Sequence, residues 1–258
     1  MKIGFIGRGA IARYASQALE AQGHEIGAVL VRPERVTPGA ILDVGKVDDL
    51  PRDIDMVLDC AGHAALAAYG PQILARGMDV ITVSLGALAD HRVADALEQA
   101  ATQGGSKLHL ASGAIGALDC LSAARIGSLS SVTYTGRKPP RGWKGSPAET
   151  RLDLEALTQG SHIHFEGTAR DAALSYPKNA NVAAAVALAG LGFDDTQVCL
   201  IADTSIRHNI HEVTAKGDFG EFQFQISGNS LPDNPRSSAL AAMSVVAKLD
   251  QITRTITL

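Results

Sequence analysis

The sequence predicts an α/β fold: a doubly wound parallel sheet, then a second α+β domain, with a C-terminal helix that returns to the first. Three observations carry this. Short apolar runs alternate with helical stretches over residues 1–111, a glycine-rich turn joins the first run to the first helix, and past about residue 127 strands follow one another directly.

Lys2 to Ile6 is a short apolar run, read as a buried strand. From Ala10 to Gln22, the residues Ile11, Ala15, Ala18, Leu19 and Gln22 recur at helical period, and Gly23 ends the helix. Glu25 to Val31 and Asp55 to Ala61 are the next strands. A helix stopped by Gly77 precedes the strand Asp79 to Val83. A helix marked by Val93, Leu97, Ala100 and Ala101, and stopped by Gly104-Gly105, precedes the strand Lys107 to Ala111. Ser131 to Thr135 then reads as a strand with one exposed face, and Lys138 to Pro147, rich in Pro and Gly, as a loop. Further strands are expected at 162–166, 197–202, 207–215 and 220–227. The last sets Phe222, Phe224 and Ile226 against Glu221, Gln223 and Gln225, and Lys216-Gly217-Asp218 reads as the hairpin before it. A helix resumes at Ser237 with Leu240, Met243 and Ala247 on one face. The expected domains are therefore 1–111 with 236–258, and 112–235.

Composition narrows the function. The 258 residues are 46% apolar and 19% charged, as in a folded chain of one large or two modest domains. A net charge of −4 lacks the basic face of a nucleic-acid binder, and 4% aromatics offers few stacking platforms. No apolar run reaches the ~20 residues of a membrane span, and the N-terminal run is too short for a signal peptide. Cys60, Cys120 and Cys199 stand far apart with no metal-ligand spacing, so neither a disulfide framework nor a structural zinc is expected. The expectation is a cytoplasmic protein with no nucleic-acid or membrane partner and no metal.

Gly7-Arg8-Gly9-Ala10-Ile11-Ala12 fits Gly-x-Gly-x-x-Gly/Ala between a strand and a helix, the Rossmann context for a dinucleotide. Gly7 permits the tight turn, Gly9 lets the backbone approach a pyrophosphate, and Ala12 keeps helix and strand close. An acid at the tip of the second strand would hold the ribose hydroxyl of NAD. Here the tip reads Val31-Arg32-Pro33-Glu34-Arg35. Arg32 and Arg35 either receive the 2′-phosphate of NADP or are solvated loop residues. The cofactor is thus NAD or NADP, with NADP expected to serve at least as well.

Further segments suggest a family: Cys60-Ala61-Gly62-His63, Gly113-Ala114-Ile115-Gly116-Ala117-Leu118-Asp119, Thr135-Gly136-Arg137-Lys138-Pro139, Tyr176-Pro177-Lys178-Asn179-Ala180-Asn181-Val182-Ala183, Asn209-Ile210-His211-Glu212 and Asn234-Pro235-Arg236-Ser237-Ser238-Ala239-Leu240. With the glycine loop, they resemble the L-aspartate dehydrogenases, in order and at matching spacing from residue 3 to about residue 247. The resemblance implies oxidative deamination of L-aspartate to oxaloacetate and ammonia through iminosuccinate with NAD or NADP, in some organisms feeding nicotinamide-cofactor biosynthesis, and a homodimer. It places the catalytic histidine at His211 and cofactor contacts at Ala61, Ala114 and Asn181, beside Gly7, Gly9, Ala10, Ile11, Ala12 and Arg32.

Histidine suits this chemistry because water must be activated and a proton delivered to the departing nitrogen near neutral pH. Read without the resemblance, a strand histidine such as His211 is more often a hydrogen-bonded structural residue, Asn181 reads as a helix cap, and Ala114 as plain packing. A dicarboxylate needs cations or free N–H groups. Lys178, Asn179 and Arg170 are the candidate substrate contacts, with Arg137, Lys138 and the helix start at the capping box Thr168-x-x-Asp171 also in view; read alone, the arginines and Lys138 are more often solvated surface charges. His63 either lines the site or is a loop residue, and Cys60 reads as a buried small residue rather than a nucleophile. Two other readings stay open: a dehydrogenase or imine reductase acting on another small amino or keto acid, and a non-catalytic nucleotide-binding redox sensor.

Overall fold

The computed structural model describes residues 1–177, 180–232 and 234–256. The chain forms two compact units, Met1–Ala111 with Ala241–Leu258, and Ser112–Leu240.

Unit 1 runs β1 (Lys2–Ile6), α1 (Ala10–Ala21), β2 (Glu25–Leu30), β3 (Leu42–Val44), β4 (Met56–Asp59), α2 (His63–Ala75), β5 (Asp79–Thr82), α3 (His91–Gly104) and β6 (Leu108–Leu110). The strands lie in the order β3-β2-β1-β4-β5-β6, and each neighbouring pair is parallel. Both faces are covered, which is why the strands read as unbroken apolar runs. On one face Ile6, Leu30, Val57 and Val80 pack with Leu66 and Leu74 of α2 and Leu97 of α3. On the other, Ile3, Phe5, Val29, Leu58 and Ile81 pack with Ala12, Ala15 and Leu19 of α1. Val245, Val246 and Leu249 of the C-terminal helix (Ala239–Thr253) join that second cluster, so the helix does return to the parallel sheet. Only a 3-10 turn, Pro33–Arg35, and an extended loop connect β2 to β3. β3 has three residues and no period of its own, and the sequence reading passed over it.

Unit 2 runs α4 (Leu118–Ala124), β7 (Leu129–Lys138), β8 (Ser161–Thr168), α5 (Ala169–Ser175), α6 (Asn181–Ala189), β9 (Gln197–Asp203), β10 (Asn209–Gly217), β11 (Gly220–Gly228), β12 (Ser230–Leu231) and β13 (Asn234–Ser238). Its main sheet has the order β11-β10-β7-β9-β8, antiparallel except between β7 and β9. Three expectations are corrected. β7 continues past Thr135 to Lys138, because Gly136, Arg137 and Lys138 pair with β9, and Gly136 and Arg137 also with β10. The hairpin turns at Asp218-Phe219, because Lys216 and Gly217 still pair, with Glu221 and Gly220. Ser237 lies in β13, and the last helix starts at Ala239. At α5, by contrast, the expected capping box is present: Thr168 Oγ1 accepts from the Asp171 N–H at 3.1 Å, and the Asp171 carboxylate accepts from the Thr168 N–H at 3.4 Å.

Glycine sets how closely the helices of unit 1 pack. A Cβ on Gly70 of α2 would lie 2.7 Å from Leu97 of α3, and one on Gly104 would lie 1.9 Å from the Leu74 carbonyl oxygen. A backbone oxygen inside a helix cannot rotate aside. Gly104→Ala is therefore expected to destabilise the protein by at least about 2 kcal/mol in chemical denaturation, whereas alanine at Gly39, where the nearest atom is 3.7 Å away, should change it little.

Candidate active site

In unit 1, the candidate residues gather at the turn from β1 into α1. Gly7 has φ +87°, and a Cβ there would lie 2.8 Å from the Ala61 methyl, so fold and backbone both demand glycine. Gly9 differs. It has φ −67° and ψ −180°, extended backbone open to any residue, and a Cβ would meet only the Cys60 carbonyl oxygen at 3.7 Å. The fold does not need glycine here, but a ligand lying on the backbone does. Behind Gly9, α1 has no side-chain cap and no acid in its first turn. The first intrahelical bond on this side runs from the Arg13 N–H to the Gly9 carbonyl at 3.0 Å. The N–H groups of Ala10, Ile11 and Ala12 thus lack helical acceptors and carry the positive end of the helix dipole. That donor set fits a pyrophosphate. Gly7, Arg8 and Ala12, with Phe5, Val29 and Ile41, also line a cavity of about 450 Å³ beside the loop.

Asp59 shapes the neighbouring turn. Fully buried at the end of β4, it accepts hydrogen bonds from Ser84 Oγ at 2.6 Å, Thr82 Oγ1 at 2.7 Å and the Ala61 N–H at 3.0 Å. The bonds tie the ends of β4 and β5 together and fix Ala61 against the glycine loop. Burial pushes the Asp59 carboxyl up despite these bonds. Burial, then the Asp59 charge, pushes the Cys60 thiol well up, which suits a buried small residue and not a nucleophile. His63 opens α2. Arg32 is exposed, with its Nε 3.4 Å from a Glu34 carboxylate oxygen, and Arg35 is exposed as well. The sequence reading missed Asp43 of β3, a buried acid that pairs with Arg8 and accepts from the Thr37 N–H and hydroxyl at 3.1 and 3.0 Å. Only the pairing of β3 with β2 brings it to the loop.

In unit 2, His211 lies on β10 opposite Gly136 of β7 and Ile226 of β11, and is 4% exposed. Alternation along β7 sets Tyr134 and Lys138 on the same face as Gly136. The Tyr134 hydroxyl stands 2.8 Å from His211 Nδ1. Lys138 Nζ lies 4.8 Å from the centre of the buried Trp143 ring, whose indole N–H donates to the Ile201 carbonyl at 3.0 Å. Trp143 meets His164 edge-on, with ring centres 4.3 Å apart, and His164 Nδ1 is 3.2 Å from the Tyr176 hydroxyl. Burial, then the Lys138 charge, pushes His211 down to about 3. Burial, then Arg151 and Lys138, pushes His164 down to about 4, and burial brings Lys138 down to about 8. Near neutral pH uncharged histidines thus stand beside the cations Lys138 and Arg151. A period-two reading of Tyr134-x-Gly136-x-Lys138 would have grouped these residues, but reading a loop from Lys138 cut the pattern short.

The remaining candidates scatter. Arg170 is held by Asp194 through two contacts, Nε to Oδ1 at 2.6 Å and Nη2 to Oδ2 at 2.8 Å, so its charge is already matched. Arg137 pairs with buried Asp203. Against the cost of burial, bonds from Ser205, Arg137 and Ser161 hold that carboxyl well below its usual range. Lys178 and Asn179 lie outside the described residues. Asn181 is the first residue of α6, and Ala180 occupies the cap position, so the amide does not cap its own helix. Ala114 is buried in the turn before α4, next to Gly113 with φ +71°.

The two glycines of the loop should separate in experiment. Gly9→Ser should hold or slightly raise stability, since serine caps helices well, while weakening dinucleotide binding about tenfold or more in a fluorescence titration. Gly7→Ala should cost about 1–3 kcal/mol of stability.

Similarity to known proteins covers both units. Residues 3–111 match the family described as "Homoserine dehydrogenase, NAD binding domain", and residues 119–252 match "Aspartate dehydrogenase, C-terminal". The chain is 54% identical over 255 residues to the L-aspartate dehydrogenase of Ruegeria pomeroyi, spanning 97% of this chain and 92% of that one. It is 45% identical over 260 residues to that of Cupriavidus necator, spanning 96% of each. The crystal structure of aspartate dehydrogenase from Thermotoga maritima superposes with a TM-score of 0.78 at 25% identity, covering 100% of this chain and 99% of that chain. With one relative matched almost end to end at 54% identity and the family's C-terminal region recognised in the second unit, the chain belongs to the L-aspartate dehydrogenase family.

Proposed function

We propose that the protein catalyses the NAD(P)-dependent oxidative deamination of L-aspartate to oxaloacetate and ammonia, and its reverse, through iminosuccinate. The observation that carries this is the similarity to L-aspartate dehydrogenase at 54% identity over 97% of the chain. The bound nicotinamide supplies the hydride acceptor. Gly7, Gly9 and the N–H groups of Ala10, Ile11 and Ala12 would hold the pyrophosphate, and Ala61, Ala114 and Asn181 are assigned as further cofactor contacts. Arg32 and Arg35, with no acid at the tip of β2, support use of NADP at least as well as NAD. His211 is the acid/base of imine hydration: uncharged at working pH, its ring exchanges protons with water and with the departing nitrogen. We assign a substrate carboxylate to Lys138, which shares the β7 face of Tyr134 and Gly136 beside His211, with Lys178 and Asn179 as further contacts. The same reading makes the protein a cytoplasmic homodimer and a source of iminosuccinate for nicotinamide-cofactor biosynthesis.

An absorbance assay of nicotinamide reduction tests the reading. L-aspartate should outperform glutamate, alanine and malate with either dinucleotide; failure with aspartate overturns the proposal, and strict NAD dependence removes Arg32 from cofactor choice. His211→Asn should lower kcat by about 10²–10⁴-fold while the circular dichroism spectrum and dinucleotide affinity hold.

Lys138 gives a pH signature. A lysine binds an anion below its pKa and releases it above, so KM for aspartate should rise as pH passes about 8. Lys138→Met should have a high KM at every pH and lose that rise. An unchanged profile in the variant would exclude Lys138 from substrate binding.

A further inference from the structure

The Tyr134–His211 contact has a direction. We propose that Tyr134 is a positioning residue that donates its hydroxyl proton to His211 Nδ1 and thereby fixes the proton of the neutral ring on Nε2, with Gly136 the glycine that lets the two side chains meet. The oxygen and nitrogen are 2.8 Å apart. A phenol is a better donor than a neutral imidazole N–H, and an imidazole nitrogen a better acceptor than a phenol oxygen, so the pairing that uses both strengths runs from oxygen to nitrogen. Tyr134 is 1% exposed, and its hydroxyl has no other hydrogen-bond partner among the described residues. Were Nδ1 the donor, that buried O–H would lose its acceptor, which is the costly arrangement. Burial raises the proton affinity of Tyr134, so it keeps its proton. Burial, with Lys138 as the charged group acting on the ring, keeps His211 uncharged.

Gly136 is what the contact requires of the backbone. It is the register partner of His211, two residues beyond Tyr134 on β7. A Cβ there would lie 2.7 Å from the Tyr134 hydroxyl oxygen and 3.2 Å from Leu200 Cδ2. Any other residue would push the hydroxyl off the line to Nδ1.

The consequence rests on the reading of His211 as the acid/base. With the proton on Nε2, the resting ring meets a bound molecule as a donor, the form that holds a carboxylate oxygen or polarises an imine or carbonyl. Taking a proton from water at Nε2 requires the proton to sit on Nδ1 and the Tyr134 hydroxyl to turn and accept. Tyr134 would thus set which half of the acid/base cycle the resting enzyme is ready for.

The test is nitrogen NMR on the full-length protein labelled with 15N-histidine, the His211 signals being identified by their loss in His211→Gln. The wild type should show Nε2 protonated and Nδ1 as a hydrogen-bonded acceptor. In Tyr134→Phe the Nδ1 resonance should move toward that of a bare ring nitrogen. Gly136→Ala, which keeps the hydroxyl but displaces it, should move it the same way. A wild-type ring protonated on Nδ1, or an Nδ1 resonance unmoved in both variants, overturns the proposal. Turnover of aspartate should fall by about tenfold or more in Tyr134→Phe, and undiminished kcat/KM would overturn the positioning role. A wild type with the expected ring signals but no aspartate turnover would instead count against the proposed function alone.

Discussion

A strand buried on both faces must satisfy its backbone polar groups from within the protein, and the parallel sheet of unit 1 obeys that requirement. In unit 1, β1 sits between β2 and β4, so its backbone is used up by pairing until Ile6. Only past that point does the chain release donors, the first-turn N–H groups of α1. The polar side chains buried nearby are matched in turn: Asp59 takes Thr82, Ser84 and the Ala61 N–H. What remains unspent, these N–H groups, suits an anion. The pyrophosphate reading thus follows from where pairing stops.

In unit 2 the burial of a side chain produces a different chemistry. His211 is buried within a paired strand, where a charged imidazolium would lose its hydration without a carboxylate to replace it. The ring stays neutral and takes the Tyr134 hydroxyl as partner. Lys138, half-buried against Trp143, adds positive potential to a face with two uncharged histidines. The net charge of −4 therefore says little about how an anionic substrate is held. Two of the four cations first considered, Arg137 and Arg170, are already neutralised by aspartates.

Glycine carries two separate meanings that composition cannot distinguish. Gly104 and Gly70 let helices touch, and Gly136 gives a tyrosine room to reach a histidine. Gly9 answers to neither constraint, which makes it the most informative of them about a ligand. The motif Gly-x-Gly-x-x-Ala names Gly7 and Gly9 together, and only the tertiary structure separates them, one serving the fold and the other the open backbone in front of α1.

The sequence by itself determined the parallel sheet, the glycine loop, the strand carrying His211 and the family, because these are written in local period and in spacing along the chain. It failed where an element was too short to show a period, as at β3, or where pairing with distant strands overrode a Pro- and Gly-rich stretch, as at Gly136 to Lys138. Tertiary structure alone decided the partners: Asp43 beside Arg8, Tyr134 against His211, and Asp194 and Asp203 on the two arginines. A hydrogen bond or ion pair is fixed by distance in space, and residues 77 positions apart, as Tyr134 and His211 are, leave no trace of it in local pattern.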